Sequence, residues 1–307
     1  MRGRTLGSAV KLGWYDAGSP EWYAARQGAL GASEIAAVLG LSPWQSRFSL
    51  WHLKQGNIPP EPPRPELEWG KDQEALIARR FAREHAEDGW KVQRIALYRN
   101  LVRKYQVAQP DRALFLGGGL MAALECKTDR YADDWGTPGT DEMPVYYRCQ
   151  GLWQMDCFGW SRCYFAVLIT GVDYCEYVLE YDRDEALELR EAAEEFMASI
   201  EAGTPPNLDD HAATYRAVRQ LHPLIDNASV EIPPELARQY RAALDAVDAA
   251  EAAKHAAAAR ILDAMGRARR ATCDKQNVAI RVPSKGDAPP HLRPSGTNSR
   301  RKKAAAA

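Results

Sequence analysis

"QPDRALFLGGGLMAALECKT", residues 109–128, places Asp111, Glu125 and Lys127 in what otherwise reads as an apolar hairpin. LMAALECKT has the composition of a strand, and Gly117, Gly118 and Gly119 mark the turn before it. Side chains alternate along a strand, so Glu125 and Lys127 share one face while Leu124 and Cys126 take the other. Asp111 lies at the end of the preceding strand, and the hairpin can bring it beside Glu125. Two carboxylates so placed repel unless a cation sits between them. Oxygen ligands without His or thiolate favour Mg²⁺ or Mn²⁺ over zinc. Lys127 would then lie near the metal and stabilise charge on a phosphate oxygen. A surface salt bridge between Glu125 and Lys127 on an edge strand fits this segment equally well.

Neighbouring segments repeat the anomaly of polar groups on apolar faces. A helix is expected over 67–88, with an inward stripe of Leu67, Gly70, Glu74, Ile77 and Phe81. A lone carboxylate at Glu74 is costly there unless paired or metal-bound. Pro144 suits the first turn of a helix over 144–159. Its stripe, Met143, Tyr146, Gln150, Trp153 and Cys157, is interrupted by Gln150, which needs a hydrogen-bond partner inside. Gln154 falls on another stripe and is the weaker candidate. In ARQGALGASEIAAVLG, residues 25–40, Ser33 is a candidate N-cap. With Arg26 it would form an anion site at a helix N-terminus.

The rest of the chain sets bounds. Strands are expected over 91–100 and 102–109, and in RCYFAVLITG and DYCEYVLEYD on either side of Gly171. Helices are expected over 183–202, 211–222 and 234–268, and TCDKQNVAIRV can form a small hairpin. The six cysteines match no disulfide framework or iron–sulfur ligand spacing, and read as reduced thiols of a cytoplasmic protein. No apolar run is long enough to span a bilayer, so no membrane partner is expected. A net charge of −1 hides an asymmetry. Residues 251–307 hold 13 Lys and Arg against 4 Asp and Glu, leaving 27 against 37 in residues 1–250. A basic tail on an acidic body suggests an anionic partner such as nucleic acid.

"PD" at 110–111 with "ECK" at 125–127 resembles the PD-(D/E)xK nuclease motif. RQGALGASEIAAVLGLSPW, the spaced Leu50-Trp51, Lys54 and Gly56, WGKDQE at 69–74 and YYRCQ at 146–150 resemble the lambda exonuclease and YqaJ-like viral recombinase branch. The resemblance runs from about residue 20 to residue 202. It implies an α/β, restriction-endonuclease-like core, a mixed central sheet flanked by helices, here with a C-terminal helical extension. Expected domains are a nuclease domain over 1–205, a helical extension over 206–285 and a basic, disordered tail over 286–307.

The activity implied is Mg²⁺-dependent 5′→3′ exonuclease digestion of linear double-stranded DNA. The 3′ tails left behind would serve phage-type recombination. Asp111 and Glu125 would be metal ligands, with the Cys126 backbone carbonyl as a third. Lys127 would position or activate the attacking water, Glu74 would lie near the metal and Gln150 would be the active-site glutamine. Arg26 and Ser33 match the pair that engages the DNA 5′-phosphate. Implied partners are duplex DNA ends, a single-strand annealing protein and copies of the chain itself, as a trimeric ring. Gln109 stands where a small residue such as Ser is expected, and the sequence after 210 has no counterpart in lambda exonuclease. An endonuclease or nickase of the same fold, or a catalytically silent DNA-binding accessory, is the alternative.

Overall fold

The computed structural model describes residues 4–295, apart from 17, 61, 63, 64, 118 and 120, with the backbone alone at 65–67. Expectations for the Leu67 side chain, Gly118 and residues 296–307 fall outside the described residues. In chain order the first elements are β1 (Thr5–Leu6), β2 (Ala9–Gly13), α1 (Pro20–Ala25), α2 (Ile35–Val38), α3 (Arg47–Lys54) and α4 (Pro65–Glu84). Then come β3 (Lys91–Gln93), β4 (Leu97–Asn100), β5 (Val107–Ala108), β6 (Arg112–Phe115), β7 (Met121–Asp129), α5 (Val145–Phe158), β8 (Arg162–Ile169) and β9 (Asp173–Glu180). The chain continues with α6 (Arg183–Glu201), α7 (Ala212–Leu221), α8 (Pro234–Met265), β10 (Arg270–Cys273), β11 (Gln276–Val282) and β12 (His291–Pro294).

The central sheet has the order β3-β6-β7-β8-β9. β7 and β8 are parallel and the other pairs antiparallel. A parallel pair requires a crossover, and α5 supplies it. Gly151 lets α5 approach closely, because a Cβ there would lie 2.9 Å from Phe165 and 3.0 Å from Leu179. Trp153, Phe158, Phe165 and Phe196 are fully buried in the core on this side. On the opposite side Ile77 and Phe81 of α4 pack with Leu114, Leu124 and Tyr164. Burying such a side chain contributes about 1.5–3 kcal/mol. The result is a mixed sheet between α4 and α5, the α/β layering expected from the sequence.

A second sheet has the order β1-β2-β4-β5. The single strand expected over 91–100 is therefore two, β3 and β4, in different sheets. Ile95 and Ala96 are consecutive and both buried, which a one-faced strand forbids. The strand expected over 102–109 shrinks to β5. Its neighbour Leu30 donates to the Tyr105 carbonyl at 2.7 Å and accepts from the Val107 N–H at 3.0 Å. These bonds dock the loop after α1 beside the strand that leads to Asp111.

The chain divides into two units, Met1–His222 and Pro223–Ala307. α7 belongs to the first, where Thr214 Oγ1 bonds Ser46 Oγ at 2.7 Å and Ala217 packs with Phe48 and Ile58. In the second unit α8 leaves its apolar seam, Leu236, Tyr240, Leu244 and Val247, exposed. β10, β11 and β12 form an antiparallel sheet. β12 lies in the stretch expected to be disordered. Pairing with β11 gives its backbone the partners that its Pro- and Gly-rich surroundings do not suggest.

Candidate active site

β6 and β7 pair with Arg112 opposite Leu124, which sets Asp111, one residue before β6, opposite Glu125. The Cys126 N–H donates to Asp111 Oδ2 at 2.7 Å. Glu125 is 1% exposed and accepts three side-chain hydrogen bonds. Lys127 Nζ donates to its Oε2 at 2.8 Å, Gln150 Nε2 to the same oxygen at 2.6 Å and Gln154 Nε2 to Oε1 at 2.9 Å. β7 lies inside the sheet, so the Glu125–Lys127 pair is a buried ion pair and not a surface contact on an edge strand. Gln154, the weaker candidate by helix periodicity, is a full partner of Glu125. One turn apart on α5, Gln150 and Gln154 face the same carboxylate.

Burial, and next the charge of Glu125, pushes the Asp111 carboxyl up to about 7. Burial pulls the Lys127 ammonium down, but Glu125 and Asp111 outweigh it and leave its pKa above the ordinary lysine value. Glu74 is ion-paired with the guanidinium of Arg112, which also donates to the Asp111 carbonyl at 2.5 Å. Arg112 escaped the sequence reading. Its only signal was strand parity, which puts it with Leu124 on the face toward α4. Cys126 points the same way, and burial pushes its thiol up, so its sulfur is not a thiolate ligand.

A cavity of about 600 Å³ has Asp111, Glu74, Gln150 and Gln154 in its wall alongside Arg26 and Ser33, while Glu125, Cys126 and Lys127 are not in its lining and join it through Asp111, Gln150 and Gln154. Ser33 is not the N-cap of α2; that position is Glu34, without a side-chain cap. Four residues of helix supply no anion site of their own, so Ser33 enters through its place in the cavity wall. Arg26 is 6% exposed, with its guanidinium 3.9 Å from the Trp22 ring centroid. Gly31 closes on it from the loop, and a Cβ there would meet Arg26 Nη2 at 1.9 Å. Gly31→Ala is therefore expected to lower stability by about 1–3 kcal/mol through overpacking. An unchanged midpoint in thermal unfolding would place the guanidinium elsewhere.

Glu34, missed by the sequence reading, holds this group. Its Oε2 accepts from the Gly31 N–H at 2.7 Å and from Lys54 Nζ at 2.9 Å, and lies 2.8 Å from Arg26 Nη2. The Arg26 contact is an ion pair off the hydrogen-bond line, since Nε and Nη2 of Arg26 are buried with no hydrogen-bond partner. A desolvated guanidinium with unused donors in a cavity wall is suited to an incoming anion.

Among the described residues no three His, Cys, Asp or Glu side chains converge as a ligand cage for a metal. Two neighbouring buried carboxylates, Asp111 pushed up by burial and then by the charge of Glu125, with no His or thiolate, fit Mg²⁺ or Mn²⁺. Mg²⁺ is commonly held by one or two carboxylates, keeping several waters and taking substrate phosphate oxygens. The same set does not fit a structural zinc.

Residues 21–162 match the model of the YqaJ-like viral recombinase domain. The chain is 29% identical over 215 residues to the uncharacterized protein YqaJ of Bacillus subtilis strain 168. That match takes in 67% of this chain and 64% of the relative, so it spans less than two thirds of the relative's length. An alkaline exonuclease from Laribacter hongkongensis aligns at a TM-score of 0.47 and 21% identity, over 60% of this chain and 94% of that one. A structure of that exonuclease in complex with dAMP aligns with the same values. Among the described residues no helix is long and apolar enough to cross a membrane.

Proposed function

We propose, from the match of residues 21–162 to the YqaJ-like viral recombinase domain and from the geometry of the site, that the protein is a Mg²⁺-dependent 5′→3′ exonuclease of linear double-stranded DNA. The observation that carries the reading is the buried Glu125, bonded by Lys127, Gln150 and Gln154 and set opposite Asp111, with Asp111, Gln150, Gln154 and Arg26 together in the cavity wall. Asp111 and Glu125, with the Cys126 carbonyl as a third donor, would hold Mg²⁺ or Mn²⁺, which when bound supplies a water of lowered pKa and stabilises the leaving oxygen. Lys127 sets a fixed positive charge where negative charge develops on the phosphate. Gln150 and Gln154 lock Glu125, so its carboxylate is oriented before substrate arrives. Glu74, neutralised by Arg112, fixes the loop at Asp111. Arg26 and Ser33 receive the 5′-phosphate and set the polarity of digestion. The 3′-tailed product suits a single-strand annealing protein in a bacterial host cytoplasm, and a ring of chain copies would keep the enzyme on its track.

Digestion in Mg²⁺ is compared on linear duplex with 5′-phosphate ends, linear duplex with 5′-hydroxyl ends, and covalently closed circles. Loss of the 5′-phosphorylated strand with circles intact is expected. Cut circles would replace the exonuclease reading with an endonuclease. No cleavage with Mg²⁺ or Mn²⁺ would leave a DNA-binding accessory.

A further inference from the structure

The second unit carries a charge arrangement that its own fold does not account for. Arg270 lies opposite Ile280 on β10 and β11, and the Arg281 N–H donates to the Arg269 carbonyl at 2.9 Å. Arg269 and Arg281 therefore face each other across the strand pair, on one side of the sheet. Like charges directly opposite destabilise a sheet. Arg267 joins them around an open groove of about 590 Å³ walled by Pro283 and Pro290. Among the described residues none of these three guanidiniums pairs with a carboxylate. The ion pairs of this unit, Arg238–Glu235 and Lys254–Glu251, lie on α8. Arg281 spends one nitrogen on the Gly266 carbonyl and buries its Nε without a partner.

Residues 266–295 hold seven Lys and Arg against two Asp, and Arg300, Arg301, Lys302 and Lys303 follow in the sequence. Planar forks on paired backbone suit phosphate oxygens. Positive charge that continues along the chain suits a linear polyanion better than a compact acidic protein. We infer that this face of the C-terminal sheet binds the phosphate backbone of duplex nucleic acid, as a contact separate from the hydrolytic cavity. Binding here needs no free end and no metal, so it stands or falls apart from the exonuclease reading.

The test uses the full chain in EDTA with a duplex capped by hairpins at both ends, followed by fluorescence anisotropy from 50 to 200 mM salt. The variant Arg267→Gln/Arg269→Gln/Arg281→Gln is expected to bind on the order of tenfold more weakly at the lowest salt. Its slope of log affinity against log salt is expected to be smaller by roughly 2.7, about 0.9 for each phosphate that is no longer neutralised. The corresponding triple Lys variant should keep most of the slope. Arg281 also bonds the Gly266 carbonyl, so stability is read on Arg269→Gln alone, which removes the repulsion and should melt no lower than wild type; a lower midpoint overturns the claim that the Arg269 charge is unpaired. Unchanged affinity and slope would overturn the binding face, as would a change confined to self-association, which would assign it to an acidic protein surface. Normal binding by wild type here, with no hydrolysis of linear 5′-phosphorylated duplex once Mg²⁺ or Mn²⁺ is supplied, would sink the exonuclease reading alone.

Discussion

Lys127→Ala is expected to slow hydrolysis of linear duplex DNA by roughly 10²–10³-fold, the usual cost of deleting one group aimed at developing charge. Binding of the same duplex in EDTA should be unchanged. Lys127 is the one cation that touches Glu125 among the described residues, and the charges around it keep it protonated across the working pH range. Breaking a buried ion pair costs about 3–5 kcal/mol when the surviving charge is stranded. Here Glu125 keeps the amides of Gln150 and Gln154, so the loss of stability should fall below that range. The effect belongs in kcat and not in KM, because the ammonium is proposed to act on charge that develops only in the transition state. Turnover at the wild-type rate would end the assignment, and unfolding of the variant at assay temperature would show a structural role instead.

Glu34→Ala should carry the largest stability penalty, about 3–5 kcal/mol, since it strands two buried cations at once. Arg26 and Lys54 have side chains 7% and 9% exposed, and both approach the same Glu34 oxygen. Burial alone would raise the Glu34 carboxyl, but Arg26, Lys54 and the Gly31 N–H outweigh it and hold it at about 2. A carboxylate depressed on folding stabilises the protein above its unfolded pKa. That contribution is lost as pH falls from near the ordinary 4.5 through about 2. Glu34→Gln should therefore flatten the acid limb of the stability curve. It should also reduce the preference for 5′-phosphate over 5′-hydroxyl ends, mainly through KM, because Arg26 loses its anchor. An acid limb identical to wild type, or a full 5′-phosphate preference in Glu34→Gln, would remove Glu34 from this role.

Much of the site was legible because its signals are local. Strand alternation placed Glu125 and Lys127 on one face, and helix periodicity marked Glu74 and Gln150 as polar groups on inward stripes. What stayed hidden depended on partners distant in sequence. Glu34 looks like any first-turn acid until Lys54, 20 residues on, folds back to it. Arg112 is a strand residue until α4 presents Glu74, 38 residues earlier. Gln154 reads as a stray amide until Glu125, 29 residues away, accepts from it. Ser33 is not the cap because α2 begins one residue later, at Ile35, with all four of its residues buried.

The sequence by itself determined the hairpin of Asp111 and Glu125, the α/β class, the helix that follows β7 and the basic C-terminal end. Each is written in periodicity, turn residues or charge within a short window. Only the tertiary structure decided that 91–100 splits between two sheets, that β12 exists and that Arg26 lies in the same cavity wall as Asp111. Those outcomes depend on long-range backbone pairing, which satisfies the same N–H and C=O groups whatever side chains they carry. A local pattern therefore leaves no mark of them.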